Sequence, residues 1–533
     1  MPTSLPASIL FRPGGRPGDG AETPAEAAGS TPPFAADLHL DEIAAALAGE
    51  RREPLVAARF YGRLRDPDAV TFRHEVFRDL RSAALREKLT AFVARMRVVD
   101  EHLAHAAAIA HPPERQRWQL EAADSYVAAV VAVTDALGAA SLGSRGLAAV
   151  AGGLRAYVDS KAFATLGAET ARMLGDLAGV TYRLRIDESR IVVERHDGEA
   201  DYGAEVLATF ARFRRSETPA PVPVDVFRTV DMNVVEVGVL ERVARLHPAV
   251  FSALEAYGVR HAAFIDPGVA TFADELTFYL AWLELIAPLE AAGLSFCEPE
   301  VSKSGGGLHA RGLFDLALAR RRVPSGEAIV GNDIELSGTE RLLVITGPNQ
   351  GGKTALARAI GQLHHLAAIG VTVPGTAARV GIGDAVHTLF ARAEDPGDLT
   401  GRLEAELTRA RTILDALRPG SLAIMNESFA STTAEDALAL DRALIGEMTT
   451  RGAMCVVVTF LGELAADDAS VVSLTGVLDP LDPTRPTYRF ERRPADPLAQ
   501  ARAVADVHGL GYDAVRDRIA RGAAGAVRGG VTP

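Results

Sequence analysis

Apolar residues in the N-terminal half recur at helical spacing. Leu85, Leu89, Phe92, Met96, Val99 and Leu103 follow one another at alternating steps of four and three, an a/d stripe over nearly three heptads. The stripe predicts a long helix packed on its neighbours in a bundle, and Pro112-Pro113 ends it. A second helix is expected from about Glu114 to Leu137 and a third from about Arg145 to Leu177. Upstream, Asp66-Pro67-Asp68 marks a helix start that carries Arg73, His74 and Glu75. The period changes at Gly179. Tyr182, Leu184 and Ile186 alternate with Arg183 and Arg185, Asp187-Glu188-Ser189 turns the chain, and Ile191 and Val193 alternate with Val192 and Glu194. That is a β-hairpin near 180–195, set between helices. Its Arg183, Arg185, Arg190 and Arg195 either contact phosphates or form a solvated outer face. Helix resumes from about Tyr202 to Arg215, Pro219 to Pro223 is an extended linker, and a further apolar helix covers about Leu276 to Leu289.

The C-terminal half reads differently. Short apolar runs, Leu342–Ile345, Ser421–Met425 and Cys455–Thr459, alternate with helical patterns at Ala355–Ile369 and 434–450, the signature of buried strands in an α/β domain. Pro486–Phe490 is a last strand. Helices from about Asp496 to His508 and Tyr512 to Arg521, joined by Gly509-Leu510-Gly511, form a helix-turn-helix pattern. Residues 1–36 and 522–533 are rich in small residues and proline without periodicity, and are expected to be disordered tails. The expected architecture is α+β and multidomain: a helical domain over 37–295 with the small β insertion, an α/β domain over 296–495, and the helical pair at 496–521.

Composition narrows the class. The 533 residues are 48% hydrophobic and 23% charged, ordinary for a globular protein. Two cysteines, Cys297 and Cys455, make no disulfide framework. No uninterrupted apolar stretch reaches 18 residues, and Met1–Pro13 lacks the pattern of a secretory signal, so no membrane span is expected and the cytoplasm, with nucleoid association open, is the expected location. A formal net charge of −13 argues against a uniformly DNA-coating surface.

The candidate chemistry centres on Gly347-Pro348-Asn349-Gln350-Gly351-Gly352-Lys353-Thr354. It lies between the apolar run 342–345 and the helix that follows, the strand–loop–helix layout of a P-loop. Glycines let backbone N–H groups approach phosphate oxygens, the helix N-terminus favours an anion, Lys353 reaches the phosphates, and Thr354 presents a hydroxyl to Mg²⁺.

The wording of this loop, from Ile345-Thr346 to Lys353-Thr354, resembles the ATPase domain of the MutS family of DNA mismatch-repair proteins. The resemblance extends to Cys297-Glu298-Pro299-Glu300-Val301, Gly331-Asn332-Asp333-Ile334-Glu335-Leu336, the Gly370–Gly375 and Arg379–Asp384 passages, Ser431-Thr432, and Glu463-Leu464. The resemblance implies an ABC-like P-loop NTPase preceded by a helical lever domain. ATP and Mg²⁺ are the implied cofactors, a homodimer the implied assembly and DNA the implied partner. Arg73 to Leu80 resembles the opening of the lever, and the family inserts a DNA-contacting β clamp where this chain has its short hairpin. No segment before the lever resembles a mismatch-reading domain. Phe296-Cys297-Glu298 spells that reader's motif but stands at the entry to the ATPase. Ile329 stands where many relatives have a Phe that stacks on adenine.

The resemblance also exposes departures. At the Walker B strand the pair is Asn426-Glu427, where the family has Asp-Glu. Glu427 is left as the residue to orient or deprotonate the attacking water, and Thr354 and Asn426 as the metal-facing pair. Thr459-Phe460 stands for the family's Thr-His, and phenylalanine cannot hydrogen-bond a phosphate. The loop before Glu406 is about three residues short and lacks the family's trans Ser, leaving Thr400 or Arg402 as substitutes. ATP binding is therefore expected to outlast turnover, and an ATP-binding scaffold without useful hydrolysis is the alternative. A chromosome-associated ABC ATPase would need an LSGGQ-like signature between Gly383 and Gly420, where none is found.

Overall fold

The computed structural model describes residues 8–12, 31–49, 54–188, 190–198, 232–303, 307–383, 385–391, 401–465, 470–479, 481–482, 485–494, 505 and 509–519. In chain order the helical part comprises α1 (Leu40–Ala48), α2 (Pro54–Tyr61), α3 (Pro67–Asp79), α4 (Ala83–Ala108), α5 (Pro112–Ala139), α6 (Arg145–Val158) and α7 (Lys161–Ala178). The hairpin β1 (Tyr182–Asp187) and β2 (Arg190–Arg195) follows, then α8 (Val234–Leu246), α9 (Pro248–Arg260) and α10 (Pro267–Ala291). The mixed part begins with β3 (Phe296–Cys297), β4 (Glu300–Ser302), β5 (Leu308–Leu313), α11 (Leu316–Arg322), β6 (Asn332–Leu336), β7 (Leu342–Thr346) and α12 (Lys353–Ala368). It continues with β8 (Val373–Pro374), β9 (Ala377–Gly381), β10 (Val386–Phe390), α13 (Arg402–Ala416), β11 (Leu422–Asn426), α14 (Ala434–Thr450), β12 (Met454–Val458), β13 (Val471–Leu478) and β14 (Pro486–Arg492).

The chain divides into two compact units. The first comprises residues 1–7, 82–142 and 147–274, the second 8–81, 143–146 and 275–533. In the first, the predicted stripe is the buried face of α4: Leu85, Leu89, Phe92, Met96 and Val99 are buried. Ser82 caps that helix by accepting from the Leu85 N–H at 3.4 Å. Helix α5 is long and apolar enough to cross a membrane by length and composition. Here it is a core helix, with Leu120, Ala123, Tyr126, Val130 and Leu137 buried. The expected third helix is two, α6 and α7. Its second half restarts at Ser160, whose hydroxyl accepts from the Phe163 N–H at 3.2 Å. The hairpin has the expected register, Leu184 opposite Val193 and Arg183 opposite Glu194. Arg183 and Arg185 both pair with Glu194, so much of their charge is already met within the hairpin.

The second unit is built on a six-stranded sheet in the order β10-β11-β12-β7-β13-β14. Its first five strands are parallel and β14 runs antiparallel to β13. The central strands are apolar on both faces, as a parallel sheet covered by helices requires. A four-stranded sheet, β4-β9-β5-β6, and the pair β3-β8 complete the unit. Phe296 lies in β3, half-buried, its ring edge-on to Phe314 at 5.6 Å between centroids.

This grouping differs from the expected boundaries, because residues 37–81 and 275–295 belong with the α/β unit. The reason is a set of buried polar ties. Arg73 donates from Nε to Leu10 O at 3.2 Å and from Nη1 to Ile369 O at 2.5 Å, beyond the last turn of α12. His365 of α12 lies 3.0 Å from Phe60 O, and the Leu64 N–H donates to Ala368 O at 2.6 Å. The expected disorder of 1–36 is also corrected for part of its length. Ile9 and Leu10 are fully buried, and their N–H groups donate to the Glu275 carboxylate at 2.6 and 3.2 Å, with Ser8 Oγ at 2.7 Å. An apolar Ile-Leu-Phe run with a buried carboxylate to bind its backbone is reason enough for order. The expected helix 202–215, the linker 219–223, Thr400 and nearly all of the helix 496–508 lie outside the described residues; 512–519 is helical.

Candidate nucleotide site

The glycine-rich loop leaves the buried centre of the sheet at the end of β7 and returns as α12. Gly352 is the residue before the helix and has φ 90°, a left-handed conformation open to glycine at little cost. Gly351 is needed for space: a Cβ there would sit 2.9 Å from Pro348 O and 2.8 Å from Pro348 Cγ. The loop therefore folds tightly enough that the first turn of α12, with its unpaired N–H groups, opens onto a cavity of about 480 Å³. Pro348 to Leu356 line one side of it, together with Glu427. Leu313, Leu318, Ile329, Val330 and Tyr488 add apolar lining, and Asp315, Arg322 and Asn332 add charged and polar groups. A helix N-terminus together with apolar and aromatic lining suits a ligand that joins anionic groups to a flat ring.

Lys353 is 5% exposed, and Nζ donates to Gly347 O at 2.9 Å and Pro348 O at 3.0 Å. Burial lowers its pKa and the Glu427 charge opposes that shift. Thr354 Oγ1 donates to Asn426 Oδ1 at 3.1 Å. These two oxygens, from the helix start and the end of β11, are hard donors of the kind Mg²⁺ takes, but Asn426 brings no charge. Glu427 follows with φ 50°, its N–H donating to Val458 O at 2.9 Å. A left-handed glutamate at a strand end is uncommon and is held there by that neighbouring strand.

Of the residues singled out in the sequence, the structure brings Pro348 to Thr354, Ile329 and Glu427 around one cavity, with Gly347 at the loop entry and Asn426 against Thr354. Arg402 does not line it. Its Nε lies 3.5 Å from Glu406 Oε1, a carboxylate only 3% exposed. Phe460 lies beside the loop, its ring centroid 4.2 Å from Lys353 Nζ. Two features escape sequence reasoning. Tyr488, with φ 59°, lines the cavity from β14. Asn332 fixes it there: Asn332 Nδ2 donates to Tyr488 O at 3.0 Å, and the Phe490 N–H donates to Asn332 Oδ1 at 2.8 Å. The second is Asp441 on α14, which accepts from Ser428 Oγ at 2.9 Å directly after Glu427. Burial pushes its carboxyl up to about 6, partly offset by the Ser428 hydrogen bond.

Comparison with known proteins meets this geometry at its centre. Residues 343–478, from β7 to the end of β13, match the family described as MutS domain V. The chain carries a MutS domain V. The DNA mismatch repair protein MutS of Chlorobium phaeovibrioides is 28% identical over 228 residues, 42% of this chain and 25% of that protein. The Endonuclease MutS2 of Gemmatimonas aurantiaca is 32% identical over 208 residues, 38% of this chain and 24% of its own length. The chain thus spans about a quarter of the length of these curated relatives. The matched domain V holds the glycine-rich loop, Asn426-Glu427 and Phe460, so the departures at 426 and 460 sit inside the region that carries the family signal.

Proposed function

We propose that this chain binds ATP with Mg²⁺ in the cavity between the glycine-rich loop, Glu427 and Tyr488, hydrolyses it slowly, and uses the nucleotide to close a homodimer on DNA. The observation that carries the reading is the convergence, on one cavity, of a helix N-terminus with Lys353 and Thr354, the Walker B carboxylate Glu427 and apolar lining from Ile329 and Tyr488. Lys353 is held against its own loop, close to where phosphates would meet the N–H groups of α12. The nucleobase would lie between Ile329 and Tyr488, with Asn332 holding the tyrosine's backbone. Mg²⁺, taken by Thr354 and the Asn426 oxygen, would add positive charge beside the phosphates. Glu427 holds the water and accepts its proton. The dimer and the DNA partner are carried by the likeness to MutS proteins, the cytoplasmic location by the sequence pattern alone, and all three remain part of the proposal.

Single-turnover hydrolysis at saturating Mg²⁺–ATP tests the reading. Removing a positioned base costs on the order of 10²–10⁴-fold in rate, so Glu427→Gln falls well below the parent while binding ATP equally well. Asn426→Asp, which restores the missing charge, hydrolyses faster. A second reading, a nucleotide-binding scaffold that does not turn over, is favoured by Asn426 and Phe460 together. Equal rates for the parent and Glu427→Gln decide for it.

A further inference from the structure

Phe460 stands just beyond β12 with its ring centroid 4.2 Å from Lys353 Nζ, well inside the range of a cation–π contact. The two groups are exposed very differently. Lys353 is 5% exposed, whereas Phe460 keeps 50% of its surface in contact with solvent. The ring is therefore an outer cover on a buried ammonium. Beneath it, Nζ already donates to Gly347 O and Pro348 O, which uses two of its three hydrogens. A half-exposed phenyl ring contributes little to a core. Over a cation it does two things: its negative face attracts the charge, and its bulk keeps water off it, which strengthens every charge interaction on the buried side.

We propose that Phe460 is a positioning residue for Lys353, whose ring face holds the ammonium over the glycine-rich loop and shields it from solvent, so that phosphates of a bound nucleotide meet a fixed and poorly hydrated cation. The inference rests on the loop being a nucleotide site and adds a way in which this chain supports phosphate binding without a hydrogen-bond donor at position 460. A cation–π contact of this kind is worth about a 2- to 30-fold difference in affinity, the larger end applying to desolvated pairs.

The test separates the ring's face from its bulk. In the full-length protein Phe460 is replaced by 4-fluoro-, 3,5-difluoro- and 3,4,5-trifluorophenylalanine, which nearly preserve volume while progressively weakening the negative face. Phe460→Trp and Phe460→Leu complete the series. Affinity for ATP is measured by titration calorimetry, with the melting temperature as a folding control. The expected result is a stepwise loss of affinity with each fluorine, a total of about 2- to 30-fold. Phe460→Leu is at least as weak, Phe460→Trp equals or exceeds the parent, and melting temperatures stay level. Uniform affinity across the fluorinated series overturns the proposal, and if Phe460→Leu alone is weak, the ring is only an apolar cover. A parent protein that binds no ATP at any concentration tested removes the nucleotide site itself, an outcome distinct from a parent that binds while the series stays flat.

Discussion

Asn332→Ala is the substitution whose cost the structure specifies most closely. The side chain is 8% exposed and serves two backbone groups of a strand more than 150 residues away: it donates to Tyr488 O and accepts from the Phe490 N–H. Truncation strands the buried Phe490 N–H, at a cost of about 1–3 kcal/mol. The bond to the Tyr488 carbonyl is only part-buried, so water can replace its partner and only a net bond of about 0.5–1.5 kcal/mol is lost. The sum is about 1.5–4.5 kcal/mol. Tyr488 also loses one restraint on a left-handed backbone that costs about 1–3 kcal/mol to hold. It will relax, and its part of the cavity lining with it. The variant should therefore unfold earlier and bind ATP more weakly. A chain with two compact units has no single unfolding free energy, so the quantity to follow is the transition that ATP shifts, in urea or by heating. Amide hydrogen exchange supplies the local readout, with Phe490 losing protection first. A free-energy change for that transition within about 0.5 kcal/mol of the parent, or a Phe490 amide that stays protected, would refute the reasoning.

Three other substitutions test separate parts. Asp441 is buried with its carboxyl pushed up to about 6, so the fold favours its neutral form. Stability from this site is greatest below the ordinary aspartate value and is lost as pH rises through about 6, on the order of 2–3 kcal/mol in all. Asp441→Asn should keep the Ser428 contact, stabilise the protein at pH 7.5 and flatten the dependence between pH 4 and 6.5; an unchanged slope in denaturation midpoints would show that Asp441 is not its source. Lys353→Ala should abolish ATP binding in equilibrium titration, and retained affinity would contradict the assignment of the loop. Replacing Arg183 and Arg185 by Glu should weaken any salt-sensitive DNA binding, whereas Glu194→Gln, which removes the negative charge both arginines pair with, should strengthen it at low salt; no response to either change moves the DNA contact away from the hairpin.

What could be read in the sequence was local. The strand–loop–helix at 342–368, the hairpin with its register, and α14 at 434–450 all follow from a period or a glycine pattern contained in a short window. The break at Ser160 was missed because apolar spacing continues across it, although an Asp-Ser pair offered a cap. What lay beyond reach was long-range and polar. Nothing near Tyr488 announces that it faces a loop more than 130 residues earlier, since the pairing of β14 with β13 and the Asn332 hydrogen bonds place it there. The order of residues 8–12 depends on Glu275, and neither segment carries the other's pattern. The attachment of α3 to the α/β unit likewise rests on Arg73 bonding to carbonyl oxygens, which any residue supplies.

The strand order of the large sheet has a consequence for synthesis. β7, which launches the glycine-rich loop, has as its two neighbours β12 and β13, and the last residue paired to it is Thr475. While the ribosome is still adding the residues between 346 and 475, the apolar strand Leu342–Ile345 lacks at least one of these two neighbours, and before residue 454 it lacks both. At about 5–20 residues per second that interval lasts roughly 6–26 s. A nascent chain stalled near residue 440 should thus fail to bind nucleotide and should leave this strand open to protease, while one carried past residue 490 should do neither. The time at which this protein acquires its loop is set by strands made long after it, and during that window the strand is a natural client for a chaperone.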